Sequence, residues 1–173
     1  MIDLTPENHR SYFENLAIAN KNILHQEETH KQFVCVDIEE VDESVFSVLN
    51  LSDWCMVLED ISGRVGGDDS EHLQLIANAA FLIFKHCPEG DRVQERQILD
   101  EAFRIGMQII AKMKKDKYDW NPISNDNLMT NFVPNTLKWE KLKAINDNCF
   151  GYRFEFDYSK YSSFKFDASE WNY

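Results

Sequence analysis

Residues 150–158 read Phe150-Gly151-Tyr152-Arg153-Phe154-Glu155-Phe156-Asp157-Tyr158. Aromatic and other residues alternate without a break. Successive side chains of a β-strand point to opposite faces. The pattern therefore predicts a strand with Phe150, Tyr152, Phe154, Phe156 and Tyr158 on one side. Gly151, Arg153, Glu155 and Asp157 fall on the other. So much aromatic surface on one face has to be covered, by a helix or by another molecule. This stretch sets the fold class as a sheet with at least one packed face.

Just upstream, Asn146-Asp147-Asn148 separates that strand from a second one read at 137–145, which predicts a hairpin. The cover for its aromatic face lies further back. Asp91 reads as an N-cap with Gln94 three residues on. Leu99, Ala102, Phe103, Gly106, Ile110 and Met113 then recur at helical spacing, and Ile98, Ile105 and Ile109 widen the stripe. So broad an apolar face predicts a helix packed deeply across the sheet. Asp100 and Arg104 are placed to pair on its outer side. Lys112, Lys114, Lys115 and Lys117, with Asp116 and Asp119 among them, suit its solvated C-terminal end.

A first helix is signalled by Thr5 as N-cap and Pro6 at the first helical position. Tyr12, Phe13, Leu16, Ala19, Ile23 and Leu24 carry its spacing to about Leu24. Residues 25–31 read as a polar loop. A strand follows at 33–39, with Val34, Val36 and Ile38 on one face, then a short helix at 40–49. Residues 53–59 are apolar on both faces and predict a central strand. Residues 62–69 hold Gly63, Gly66 and Gly67 and read as a loop. Residues 71–86 alternate with period two and predict a long strand whose second half is buried on both sides, the alanines leaving a helix as the competing reading. The polar stretch 124–131 precedes the hairpin. The sum is an α+β fold, two main helices packed on a largely antiparallel sheet of about five strands. Residues 1–158 form one domain, and 159–173 form an aromatic-rich edge strand or arm.

Charge narrows the function classes. The 173-residue chain carries a net charge of −12. Such a surface repels phosphate backbones and anionic lipid, so no direct nucleic-acid or membrane partner is expected. No apolar run longer than Ala79-Ala80-Phe81-Leu82-Ile83-Phe84 occurs, well short of the ~20 residues of a membrane span. The opening residues lack a basic then apolar leader pattern, and a cytoplasmic location is expected. Cys35, Cys55, Cys87 and Cys149 form no Cys-x-x-Cys pair and are expected as free thiols, Cys35, Cys55 and Cys149 packed as small hydrophobes in strands.

No local motif carries chemistry. His25 and His30 are five apart, and His86 adjoins Cys87; neither has zinc-site spacing, so the histidines read as ordinary surface residues. Gly63, Gly66 and Gly67 lack the Lys-Ser/Thr end of a phosphate loop, and the acidic Asp68, Asp69 and Glu71 follow. Cys87 lies beside His86 with no other activating motif. No catalytic, cofactor or metal residue is assigned, and no small-molecule ligand is evident. An enzyme with a dispersed site stays open as an alternative. The remaining candidates are aromatic. Tyr158, Tyr161, Phe164, Phe166, Trp171 and Tyr173 lie in a stretch almost without aliphatics, suited to a subunit contact or to a private edge strand.

The order of motifs carries a resemblance. Tyr12-Phe13-Glu14-Asn15-Leu16 leads into Ile23-Leu24-His25. Phe81-Leu82-Ile83-Phe84-Lys85-His86, the helix from Asp91 to Met113 and Phe150-Gly151-Tyr152-Arg153-Phe154-Glu155-Phe156 follow. The pattern resembles small uncharacterised proteins of prophage-like regions in Bacteroidetes. More distantly, it is similar to phage tail-terminator and head–tail completion proteins. The resemblance implies helices on an antiparallel sheet and a ring-forming, non-enzymatic role at a tail end or head–tail junction, either in the cytoplasm or in an assembled phage-like particle. An acidic surface suits a lumen through which DNA slides. No site residue carries over. Protein partners, or further copies of the chain, are therefore the expected ligands. The alternative is an acidic adaptor for a basic protein.

Overall fold

A computed structural model describes residues 4–37, 47–67, 73–119, 128–142, 148–161 and 169. The fold is α+β. Helix α1 spans Pro6–Ala19, and the Thr5 hydroxyl accepts from the Asn8 N–H at 3.2 Å. The helix stops five residues before the expected end near Leu24. The Asn20 side chain accepts from the Asn22 N–H at 2.9 Å, and Asn20 itself is extended. This local bond competes with helix propagation. Ile23 is still buried, but from a turn that Leu24 continues at φ 52°.

Six strands are described: β1 (Phe33–Val36), β2 (Cys55–Glu59), β3 (Ser62–Gly66), β4 (Gln74–His86), β5 (Phe132–Lys141) and β6 (Cys149–Tyr161). They form one mixed sheet in the order β1-β2-β4-β6-β5, with β3 also alongside β4. Only the β1–β2 pair is parallel among them. The expected 40–49 helix lies mainly outside the described residues.

Strand β3 corrects the expectation of a loop at 62–69. Leu58 faces Phe81 and Ser62 faces Asn78, so three residues (59–61) oppose two (79 and 80). Strands β2 and β3 are thus one run along β4, broken by a one-residue bulge. Gly63 belongs to the pairing, because a Cβ there would stand 2.8 Å from the Ile76 carbonyl oxygen. The glycine that signals a loop in sequence is what permits the strand.

Helix α2 (Arg92–Tyr118) crosses the face made by β4 and β6. Asp91 caps it, accepting from the Gln94 N–H at 2.9 Å. Ile98, Ala102, Ile105, Gly106, Ile109, Ile110 and Met113 are buried, with Leu99 and Phe103 half-buried. Gly106 lies directly over Phe154, whose ring occupies the space a Cβ would take. Arg104 pairs with Glu101 at 3.1 Å rather than with Asp100. At the C-terminal end Lys112 pairs with Asp116 and Lys115 with Asp119, while Lys117 donates to the carbonyls of Thr130 (3.1 Å) and Phe132 (2.6 Å). Those last bonds fix the start of β5, which begins at Phe132 rather than 137. Thr136 steadies the irregular part of that strand. Its hydroxyl donates to the Val133 carbonyl and accepts from the Asp157 N–H, each at 2.8 Å.

The aromatic face of β6 is covered as expected. Phe154, Phe156 and Tyr158 have no exposed surface and pack with Phe13, Phe81 and Phe132 beneath the helices. The opposite face, called outer below, is apolar at one end. There Val36, Leu49, Cys55, Val57, Leu82, Phe84, Leu142 and Cys149 form a second core cluster. The second half of β4 is accordingly buried on both sides. All four cysteines are free, Cys35 half-buried and the others buried.

Candidate functional site

The polar end of the outer face gathers the strongest charges in the sheet. The Arg153 guanidinium donates from Nε and Nη2 to both oxygens of Glu59, each at 2.7 Å, and from Nη1 to Glu155 at 2.6 Å. Glu140 lies 3.7 Å away. The Glu59 hydrogen bonds, above all, raise the Arg153 pKa, and the bond to Arg153 holds Glu155 below the usual carboxylate range. Asn78 donates to Glu155 (3.3 Å) and Asp157 (3.2 Å). The bulge after Leu58 lies where Glu59 reaches Arg153. The network ties β2, β4, β6 and β5 together, and Arg153 is fully engaged by carboxylates.

A cleft of about 370 Å³ flanks this network, lined by Ser62, Gly63, Arg64, Ile76, Asn78 and Asp157. Its wall is β3, with Ser62, Gly63, Arg64 and Val65 exposed. Among the described residues β3 has β4 as its one strand partner. Gly66 pairs with Gln74, and Gln74 pairs on its other side with Tyr161. Gly66, Gln74 and Tyr161 therefore form one row across the end of the sheet. The Gln74 amide also donates to Ser159 in β6.

The aromatic candidates divide along this row. Tyr158 is fully buried, with its hydroxyl 3.1 Å from His9 Nδ1, so it belongs to the chain's own core. Tyr161 is 76% exposed, and β6 runs through it rather than ending at 158. Phe164, Phe166, Trp171 and Tyr173 lie outside the described residues.

Two histidines depart from the surface reading. His9 is buried, and burial holds its pKa down to about 4, against the opposing pull of Asp60 and the Glu59 carbonyl. His25 is also buried. Its Nδ1 accepts from the Gln32 N–H at 3.1 Å, and its Nε2 lies 3.3 Å from Glu27 and 3.9 Å from Glu14. Glu14, His25 and Glu27 are close enough together to hold a cation. The tautomer opposes it. With Nδ1 accepting, a neutral ring carries its proton on Nε2, the atom aimed at the carboxylates. A ligating histidine normally donates from its second nitrogen, and here that nitrogen accepts. Nε2 is buried within ion-pair distance of both carboxylates, yet makes no hydrogen bond to a described residue. His25 acts as a post: it fixes Gln32, whose amide bonds Asn50 and Trp54.

Two of the four sulfurs are held as thiols. Cys35 donates to Asp60 at 3.0 Å, and burial followed by that bond pushes its pKa up to about 12. Burial pushes Cys55 up to about 12 as well. Of the other histidines, His86 is exposed, His30 stands 3.8 Å from Asp53, and His72 lies outside the described residues. No described helix is long and apolar enough to cross a membrane.

No protein-family model matches this chain, and no curated protein matches it either.

Proposed function

We propose that this chain is a non-enzymatic assembly protein acting through contacts with neighbouring subunits, the role implied by its resemblance to tail-terminator and head–tail completion proteins. One observation carries the reading: the exposed strand β3 and the exposed Tyr161 sit at the same end of the sheet, in the row through Gly66 and Gln74. An edge strand offers unpaired N–H and C=O groups to an incoming strand. Arg64 is the one charge on β3.

The sequence after Tyr161 is suited to the incoming strand. Phe164 and Phe166 alternate with Ser163, Lys165 and Asp167, a half-buried strand pattern. Twelve residues follow Tyr161 and reach about 40 Å when extended. That is ample for the β3 edge of a neighbour, and exchange of such a segment generates closed oligomers. The acidic-adaptor alternative is less favoured, because Glu59 and Glu155 are already engaged by Arg153. A dispersed enzyme site is less favoured too, since Cys35 and Cys55 are held as thiols and His9 is held neutral.

Light scattering on the full chain and on a version cut after Tyr161 tests the proposal. The expected result is an oligomer that becomes a folded monomer on truncation. An oligomer of unchanged mass, or a full chain that is monomeric at millimolar concentration, overturns it.

A further inference from the structure

We infer that the groove between the end of α1 and the middle of α2 binds a small organic anion: a carboxylate, phosphate or sulfonate carried on an apolar body. The groove encloses about 380 Å³, within the ~300–1,000 Å³ of small-molecule sites. Leu16, Ala19 and Ile109 give it an apolar floor. Lys21, Arg104 and Lys112 stand at its rim. On a chain of net charge −12, three cations around one apolar hollow form a local exception.

The arrangement follows from helical spacing. Arg104, Gln108 and Lys112 succeed one another at intervals of four along α2, so they form a stripe on one face. The turn that ends α1 early brings Lys21 opposite that stripe. Lys21 has no ion pair among the described residues. Arg104 and Lys112 each have one carboxylate partner, Glu101 and Asp116, and Asp116 is shared with the Tyr12 hydroxyl at 2.8 Å. The C-terminal carbonyls of α1 would oppose an anion, but two are already satisfied. Leu16 accepts from the Asn20 N–H at 2.9 Å, and Ala17 accepts from the His25 N–H at 3.3 Å. The Asn20 side-chain oxygen is turned towards Asn22.

The ligand class follows from the two halves of the site. A bare inorganic ion would leave the floor wet, and an uncharged apolar molecule would leave the cations unused. An anionic head at the rim with a ring on the floor uses both. This site is separate from the β3 edge and stands independently of the assembly proposal.

The test uses the full-length protein and 8-anilinonaphthalene-1-sulfonate, a fluorescent sulfonate with an apolar body. One molecule is expected to bind per chain. Phenyl phosphate should displace it, and inorganic phosphate should do so at least tenfold less well. The Lys21→Glu/Lys112→Glu variant is expected to bind at least tenfold more weakly. Ala19→Trp, which fills the groove from an exposed position without changing charge, should abolish binding. Lys114→Glu/Lys115→Glu, on the same helix but outside the groove, should bind as the parent does. Circular dichroism confirms that each variant is folded. No binding by the parent, equal binding by the groove variants, or equal competition by inorganic phosphate overturns the inference.

Discussion

The Arg153 guanidinium grips the Glu59 carboxylate with two hydrogen bonds of 2.7 Å each, across β4, on a face where Glu59 is only 6% exposed. Bidentate pairs of this kind combine charge with fixed geometry. Removing one partner leaves the other buried and uncompensated. Arg153→Met is therefore expected to destabilise the fold by about 3 kcal/mol in urea titration. Replacing both, Glu59→Met with Arg153→Met, should recover most of that loss. A double variant no better than the single one would mean that the network does more than compensate its own burial. The pH response should also reverse. In the parent, the depressed Glu155 pKa adds stability that is present above the normal carboxylate range and lost as pH falls through the folded value. In Arg153→Met, carboxylates left facing one another should make mild acid stabilising.

His9 supplies a second pH dependence. Its pKa is about 4 in the fold, against 6.5 for an unburied histidine. Between those values the unfolded chain binds more protons than the folded one. Stability is then complete above about pH 6.5 and falls as the pH drops towards 4. The expected loss between pH 7.5 and pH 5 is about 2 kcal/mol from this residue alone. Urea unfolding at the two pH values, compared with His9→Gln, isolates it. An equal pH response in both proteins rules His9 out as the source.

The parts of the fold readable from sequence are those with a local cause. The period of two in β6, the capping residues Thr5 and Asp91, and the broad stripe of α2 each follow from neighbouring residues. The missed features depend on contacts distant in sequence. Gly63 looks like a loop signal until the Ile76 carbonyl stands beside it. His9 looks like a surface polar residue until Tyr158, 149 positions away, closes over it. Read from sequence, Arg104 pairs with Asp100 and Lys112 sits at the solvated helix end; that both line one groove with Lys21 depends on the turn at Asn20, which is distant from them in sequence. Of the aromatic candidates, Tyr158, read from sequence as a candidate subunit contact, is buried in the chain's own core, one of the two covers that the alternation of β6 leaves open.

Gly106 provides a test in which propensity and packing oppose each other. Alanine in place of glycine normally strengthens a helix interior by about 1 kcal/mol. At 106 the new methyl would overlap the Phe154 ring, which is fully buried between α2 and the sheet. Overpacking costs of about 1–3 kcal/mol are typical, so Gly106→Ala should lower stability despite the better propensity. Combining it with Phe154→Leu should cost less than the sum of the two changes. Strict additivity in a double-mutant cycle would mean that the helix shifts to avoid the ring.

His25 separates a structural post from a metal ligand. If its work is to accept from the Gln32 N–H, an asparagine oxygen placed near Nδ1 can substitute, whereas alanine leaves that buried donor unpaired. His25→Ala is expected to cost about 2 kcal/mol. His25→Asn should cost distinctly less, although it removes the nitrogen that faces Glu14 and Glu27. Zinc in tenfold excess should then leave the melting temperature of the parent unchanged, because a ligand that binds only the folded state would raise it. A zinc-dependent rise that disappears in His25→Asn would mean that Nε2 gives up its proton to the metal. The Gln32 hydrogen bond could not then be what fixes the ring, and the Glu14–His25–Glu27 trio would be a metal site.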